Sequence, residues 1–156
     1  MSISFKKTTT KLVALFIIGL ILLFAKEANS ETIISVAPVT QWVGGHKVEG
    51  STLKLVENIA DKYEFGIILS DIGGQVNGGV QAQRVVGKKF QMGIGVTYWK
   101  NQTIAWNSQF TFALSLRWNI NDNWLIEHSH WSTAGSSTRN SGLDMLMVGY
   151  RFGGRK

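Results

Sequence analysis

The chain of 156 residues contains no cysteine, which excludes disulfide bonds, thiolate metal sites and a lipid anchor attached through cysteine. Beyond residue 30 it also lacks an apolar run of the roughly 20 residues that a transmembrane helix needs. Concentrated charge is missing as well. The net charge is +6, but the first thirty residues hold four lysines and one glutamate, so only +3 remains for residues 31–156. Such a small, scattered charge argues against a nucleic-acid partner.

The first thirty residues have the pattern of a secretory signal peptide. Three lysines precede an apolar run of about 14 residues at 12–25, and small residues at 28–30 offer a cleavage site. The rival interpretation, a membrane anchor, would need a longer run. We therefore expect residues 1–30 to be a cleaved signal and residues 31–156 to form a single domain.

Alternating hydrophobicity dominates the remainder of the chain. From Phe110 to Ile120 every even position is large and apolar, while every odd position is small or polar. The same pattern occurs at 90–98 and, more weakly, at 63–69. Segments of about ten such residues are typical of transmembrane β-barrels, although a soluble sandwich or a lipocalin-like barrel also alternates.

Three features favour the membrane barrel over the soluble alternatives. The polar face is rich in glycine and small residues, which suits a narrow, filled interior. The chain also approaches its end with Tyr150-Arg151-Phe152, similar to the aromatic terminal signal of outer-membrane barrels. Finally, aromatic residues near strand ends could form two membrane girdles. These residues are Trp42, Trp99, Trp106, Trp118, Trp124, Tyr98 and Tyr150.

The predicted fold is an all-β, eight-stranded antiparallel transmembrane barrel of the bacterial outer membrane. Its strands are expected at 32–43, 48–57, 60–71, 78–87, 89–99, 106–119, 122–132 and 142–152. Connections after the even strands are short. Those after the odd strands are mostly longer, including a glycine-rich flexible loop at 73–77 and a loop at 133–141. This asymmetry makes the longer loops extracellular. An eight-stranded barrel is filled by side chains, so transport is not expected.

Polar residues with catalytic chemistry lie close together on this predicted barrel. His130 and Ser132 share one strand face, and Asp144 shares the apolar, lipid-facing side of the last strand. Polar groups are costly on such a face. A hairpin through 133–141 would bring Asp144 within about 5 Å of His130. The trio would supply an acid, a base and a serine nucleophile for ester hydrolysis at the outer interface. The alternative is a solvated hairpin above the membrane.

Two stretches resemble the active-site hairpin of the PagL-type outer-membrane lipid A 3-O-deacylases. The family pattern is His, aromatic, Ser, usually Asn, Ala and Gly, and then Asn-x-Gly-hydrophobic-acid. Residues 130–135 read His-Trp-Ser-Thr-Ala-Gly, and residues 140–144 read Asn-Ser-Gly-Leu-Asp. Gly-Tyr-Arg-Phe at 149–152 is similar to the family's strand end. The motif-level match covers about 25 residues.

The resemblance implies a barrel with its catalytic triad on the outer surface, acting on lipid A of lipopolysaccharide in a Gram-negative outer membrane. It gives Ser132 the role of nucleophile and His130 that of base. Asp144 becomes the acidic member of the triad, which orients the base. Asp144 departs from the usual glutamate and Thr133 from the usual asparagine. Backbone N–H groups from Thr133 to Gly135 could form the oxyanion hole, or a side-chain amide such as that of Asn140 could contribute.

Other polar residues receive structural interpretations. His128 shares the face of His130, but two histidines without a third ligand seldom bind zinc, so neither a metal nor a cofactor is expected. Glu127 should point into the barrel and pair with Arg117 or Arg151.

Two functional alternatives remain beside the esterase, namely a non-catalytic barrel with adhesive or structural loops and a lipid A acyltransferase. Either a monomer or a homodimer is compatible with the sequence.

Overall fold

A computed structural model describes residues 31–37, 40–43, 46–60, 62–102, 105–134 and 142–153. The predicted signal segment 1–30 lies outside these ranges, as do the candidate site residues Gly135 and Asn140. Within the described ranges, no helix is both long and apolar enough to cross a membrane.

The described chain forms a closed, eight-stranded antiparallel β-barrel, as predicted. Its strand segments are β1 (Thr32–Ala37), β2 (Thr40–Val43), β3 (His46–Ala60), β4 (Tyr63–Ile72), β5 (Gln75–Gly87), β6 (Phe90–Trp99), β7 (Phe110–Asn119), β8 (Trp124–Ser132) and β9 (Leu143–Phe152). Segments β1 and β2 both pair with β3 on one side and β9 on the other, so together they form the first barrel strand. Pairing of this strand with β9 closes the barrel.

Side-chain alternation separates the two barrel surfaces in the way that the sequence predicts. In β7, the even-numbered residues Phe110 to Trp118 face outward and are exposed, while Thr111, Ala113 and Ser115 are buried inside. Strands β4 and β6 show the same two-residue period. Because exposed apolar side chains on this scale are unfavourable in water, the outward surface is suited to contact with lipid.

A charged network fills the barrel interior. The guanidinium group of Arg117 donates to Glu64 Oε1 at 2.7 Å and to Glu127 Oε2 at 2.9 Å. The Nζ atom of Lys54 donates to the other oxygen of Glu127, also at 2.7 Å. Two cations therefore face two carboxylates, which compensates their burial. The predicted inward orientation of Glu127 and its pairing with Arg117 are confirmed.

Three tryptophans pack inside the barrel at the end that carries the 100–109 and 133–142 connections, here called the loop end. The ring centroids of Trp99 and Trp106 are 5.5 Å apart, and those of Trp99 and Trp131 are 6.0 Å apart. Assignment of Trp99 and Trp106 to a membrane girdle is therefore wrong. Trp99 has inward parity, and Trp106 precedes β7 instead of lying on it. Trp118, Trp124 and Tyr98 do face outward.

Several connections and strand limits differ from the sequence prediction. The expected loop at 73–77 is a two-residue turn, with Ile72 paired to Gln75 across Gly73 and Gly74. Both glycines have positive φ, 61° and 82°, which suits a tight hairpin. Strand β7 begins at Phe110 instead of residue 106, and β3 is longer than predicted. Among the connections between the described strand segments, two at the loop end are long, 100–109 and 133–142.

Candidate active site

The pairing of β8 with β9 brings the predicted base and acid together. His130 lies directly opposite Asp144 in the antiparallel register. Its Nδ1 atom is 2.9 Å from Oδ1 of Asp144. A carboxylate only accepts hydrogen bonds, so the neutral imidazole carries its proton on Nδ1 and leaves Nε2 as an acceptor. That is the tautomer required of a general base that is oriented by an acid.

The base and the acid face outward near the loop end. The side chains of His130 and Asp144 are 38% and 35% exposed. One pair further towards the loop, Trp131 lies opposite Leu143, and this is the last pair of the β8–β9 ladder. His130 and Asp144 therefore lie one pair from the end of the β8–β9 ladder, on the outward surface near the loop end.

Ser132 follows on the same outward face, two residues beyond His130 in β8. Between them, Trp131 points inward, where its indole N–H donates to Thr97 Oγ1 at 3.0 Å. This buried anchor fixes the backbone between the candidate base and the candidate nucleophile. The Oγ atom of Ser132 accepts a hydrogen bond from the backbone N–H of Ala134 at 3.2 Å. Ala134 has a positive φ of 49°, which turns the chain sharply after the strand.

Of the three residues predicted to support the oxyanion, the structure describes only Thr133. Thr133 is fully buried, so its side chain is not presented on the outward face. A contribution from Thr133 would have to come from its backbone. Gly135 and Asn140 lie outside the described residues.

His128 is a member of the cluster whose role the sequence did not reveal. Its Nε2 atom lies 3.2 Å from Oδ1 of Asp144, the same oxygen that His130 contacts. The parity shared by His128 and His130 was the available signal, but parity alone does not show which carboxylate a side chain reaches. No group of three or more potential ligands arranged for a metal is found in the described ranges.

An apolar recess of about 280 Å³ adjoins the cluster on the outer barrel surface. It extends from His128 away from the loop end, across β6 to β9. The outward-facing residues that line it are Phe90, Leu116, Trp118, Ile126, His128 and Leu146. Its position puts the polar cluster at one end of a surface on which a hydrocarbon chain can lie.

Comparison with known proteins identifies the fold. The sequence matches no protein-family model and no curated protein. Among solved structures, the outer membrane enzyme PagL is 14% identical with a TM-score of 0.52, and 78% of this chain aligns with 98% of that chain. The outer membrane protein Ail of Yersinia pestis, in a phospholipid bilayer nanodisc, is 17% identical with a TM-score of 0.50. That alignment covers 79% of this chain and 99% of Ail.

These similarities define the class of the protein as an eight-stranded outer-membrane β-barrel. They extend to the fold alone, because one barrel architecture can carry unrelated functions. The function must therefore be argued from the cluster on β8 and β9.

Proposed function

We propose that this barrel is a lipid A 3-O-deacylase, an esterase that hydrolyses the 3-linked hydroxyacyl ester of lipid A in the outer leaflet. The observation that carries the proposal is the 2.9 Å contact between His130 Nδ1 and Asp144 Oδ1 on the lipid-facing surface, with Ser132 on the same face. A polar cluster is energetically costly at such a position, and its presence there therefore favours a functional role.

The proposed reaction needs no metal or cofactor. The Oγ atom of Ser132 attacks the ester carbonyl carbon while Nε2 of His130 accepts its proton, and Asp144 stabilises the resulting imidazolium. The tetrahedral intermediate expels the sugar alkoxide, which takes the proton from His130. Water then attacks the acyl-serine, again with His130 as base. This second step releases the 3-hydroxy fatty acid and restores the serine hydroxyl.

The surroundings of the cluster support a lipid as the substrate. The ester linkages of a lipid lie near the membrane interface, and its acyl chains run towards the bilayer centre. The apolar recess begins at His128 and runs in that same direction along the barrel. An acyl chain in the recess would hold its ester at the His130 end, which favours reaction through proximity and orientation.

Mass spectrometry of lipid A tests the proposal directly. We expect cells producing the wild-type protein to lose one 3-hydroxyacyl group from lipid A, and cells producing Ser132→Ala to retain it. Ser108→Ala is a matched control, because the Ser108 hydroxyl also accepts a bond from the backbone N–H two residues later, that of Phe110, at 3.1 Å. Lipid A that is identical with and without the wild-type protein would refute the activity. Gain of an acyl chain would instead indicate an acyltransferase.

A non-catalytic barrel is the second candidate, and one contact favours it. The hydrogen bond from the Ala134 N–H gives the Ser132 hydroxyl a local role in shaping the turn. On this alternative, the wild-type protein and Ser132→Ala give identical lipid A, whereas shortening the 100–109 and 133–142 connections abolishes adhesion or binding. A fluorophosphonate probe separates the two candidates further, because it labels only an activated serine.

A further inference from the structure

Two imidazoles approach one carboxylate oxygen through different ring atoms. His130 uses Nδ1, at 2.9 Å, and His128 uses Nε2, at 3.2 Å, and both contact Oδ1 of Asp144. The His130 contact has hydrogen-bond geometry, so Nδ1 carries the proton of its neutral ring, because the carboxylate can only accept. The His128 contact is an approach within ion-pair distance. The two rings therefore meet the acid through different atoms and in different ways.

The difference between the two contacts assigns different tasks to the two rings. His130 keeps Nε2 as an acceptor at the far end of its side chain, where it can take a proton from a nucleophile. His128 contacts Asp144 through its own Nε2, so the nitrogen at the far end of its side chain is directed to the carboxylate and not to a nucleophile. His128 is thus arranged to hold the acid, and His130 is arranged to act as the base.

The register shows why the acid can use a second partner. Asp144 lies opposite His130, and the next outward pair away from the loop end is His128 with Leu146. His128 therefore reaches Asp144 diagonally from the side of the hydrocarbon layer. Diagonal neighbours in an antiparallel pair lie within reach of long side chains. The contact places a polar imidazole beside the carboxylate on the side where lipid would otherwise surround it.

We propose that His128 is a positioning residue of the esterase site, which fixes the Asp144 carboxylate so that it orients His130. This inference rests on the proposed function. His128 acts through Asp144 and does not take the serine proton. A single short carboxylate side chain held from two directions has fewer rotamers available, which maintains the productive geometry of the base.

Two substitutions at position 128 and one control test this role in the full barrel reconstituted in detergent micelles with lipid A. His128→Leu removes the imidazole contact with Asp144 and leaves an apolar side chain on a lipid-facing surface. His128→Gln retains an N–H group at a similar distance from the backbone. Ile94→Ala is the control, since Ile94 faces outward at the same level as His130, two strands away, and lies outside the recess.

We expect His128→Leu to lower kcat on the order of tenfold or more with little change in KM, because misplaced catalytic groups cost rates of this size. His128→Gln should recover most of the loss, and Ile94→Ala should match the wild type. The rate of labelling of Ser132 by a fluorophosphonate should follow kcat. In ¹⁵N NMR spectra, the His130 Nδ1 proton signal should weaken or broaden in His128→Leu and return in His128→Gln.

Each other outcome has a distinct meaning. If the wild type hydrolyses lipid A and His128→Leu has the same kcat, the positioning role is refuted while the esterase stands. A rise in KM alone would make His128 a lipid contact and would likewise overturn the inference. If the wild-type protein neither hydrolyses lipid A nor reacts with the probe, the proposed function fails, and the positioning role fails with it.

Discussion

The imidazole of His130 rests against the backbone of Gly142. A Cβ atom at position 142 would lie 2.9 Å from Cε1 of His130, closer than a carbon contact allows. Gly142 also has a positive φ of 67°, a conformation that side chains with a Cβ atom disfavour. Gly142, immediately before β9, therefore leaves the space that the candidate base His130 occupies, and β9 itself carries the candidate acid Asp144.

Gly142→Ala should therefore impair the site by moving the His130 ring. We expect kcat to fall by about tenfold to a hundredfold, together with a loss of about 1–2 kcal/mol in unfolding free energy from the backbone strain. Lipid A hydrolysis and denaturant unfolding in micelles measure the two effects.

A matched glycine substitution separates the effect of backbone strain from the effect of displacing the His130 ring. Gly74 has a φ of 82°, and no other atom lies within 4 Å of a Cβ built there. Gly74→Ala should lose similar stability and keep full activity. Equal activity losses in the two variants would show that the contact with His130 is unimportant.

The length and charge of the acid can be varied independently. Asp144→Asn keeps the shape but removes the charge that stabilises the imidazolium and that holds the proton of His130 on Nδ1, and the same change in a comparable triad lowers kcat by roughly 10⁴-fold. Asp144→Glu adds the methylene that the resembling family has, yet Asp144 already reaches His130 at 2.9 Å. We expect Asp144→Glu to stay within about tenfold of the wild type. Rates of 3-hydroxy fatty acid release by the two variants and the wild type test both expectations. An active Asp144→Asn variant would remove Asp144 from the mechanism.

Two interior threonines offer a paired test of how the barrel core supports the site. Thr97 accepts from the indole N–H of Trp131, and Thr111 accepts from that of Trp99, both at 3.0 Å. Either Thr→Val change leaves a buried indole without its partner, at a cost of about 1–3 kcal/mol. Only Thr97→Val loosens the residue between His130 and Ser132, so only this variant should lose activity beyond its stability loss. Parallel unfolding and activity measurements give the comparison, and equal activities would refute the anchoring role.

The interior charges should matter for stability independently of catalysis. Arg117→Met leaves Glu64 and Glu127 without their shared partner, and breaking a buried ion pair in this way costs about 3–5 kcal/mol. Lys89→Met, at an exposed turn, should change the unfolding free energy by less than about 0.5 kcal/mol. Urea titration of the folded barrel checks both values. A neutral Arg117→Met variant would show that the carboxylates find other partners.

The sequence predicted the barrel because side-chain parity is a local property. A two-residue period determines which of Phe112 and Ala113 faces lipid, and it does not depend on distant residues. The same parity placed His130 and Ser132 on one face. Asp144 could be placed beside them because a hairpin joins β8 and β9, although its reach to His130 required the observed register.

Features that depend on side-chain direction or on strand limits were harder to predict. The contact of His128 with Asp144 is diagonal across two strands, so it depends on rotamers that the sequence does not specify. Trp106 was misplaced because β7 begins four residues later than the alternation suggested. The length of the loop at 73–77 was overestimated because strand pairing continues as far as Ile72 and Gln75, which leaves only Gly73 and Gly74 in the turn.

The filled interior of the barrel has a consequence for kinetics. Lys54, Glu127, Arg117 and Glu64 occupy the middle, and the three tryptophans occupy the loop end. Substrate and fatty acid would therefore exchange sideways, by diffusion within the leaflet. Turnover should then follow the mole fraction of lipid A in the micelle or bilayer instead of its bulk concentration. Diluting the substrate with inert detergent at constant total lipid A should slow the reaction.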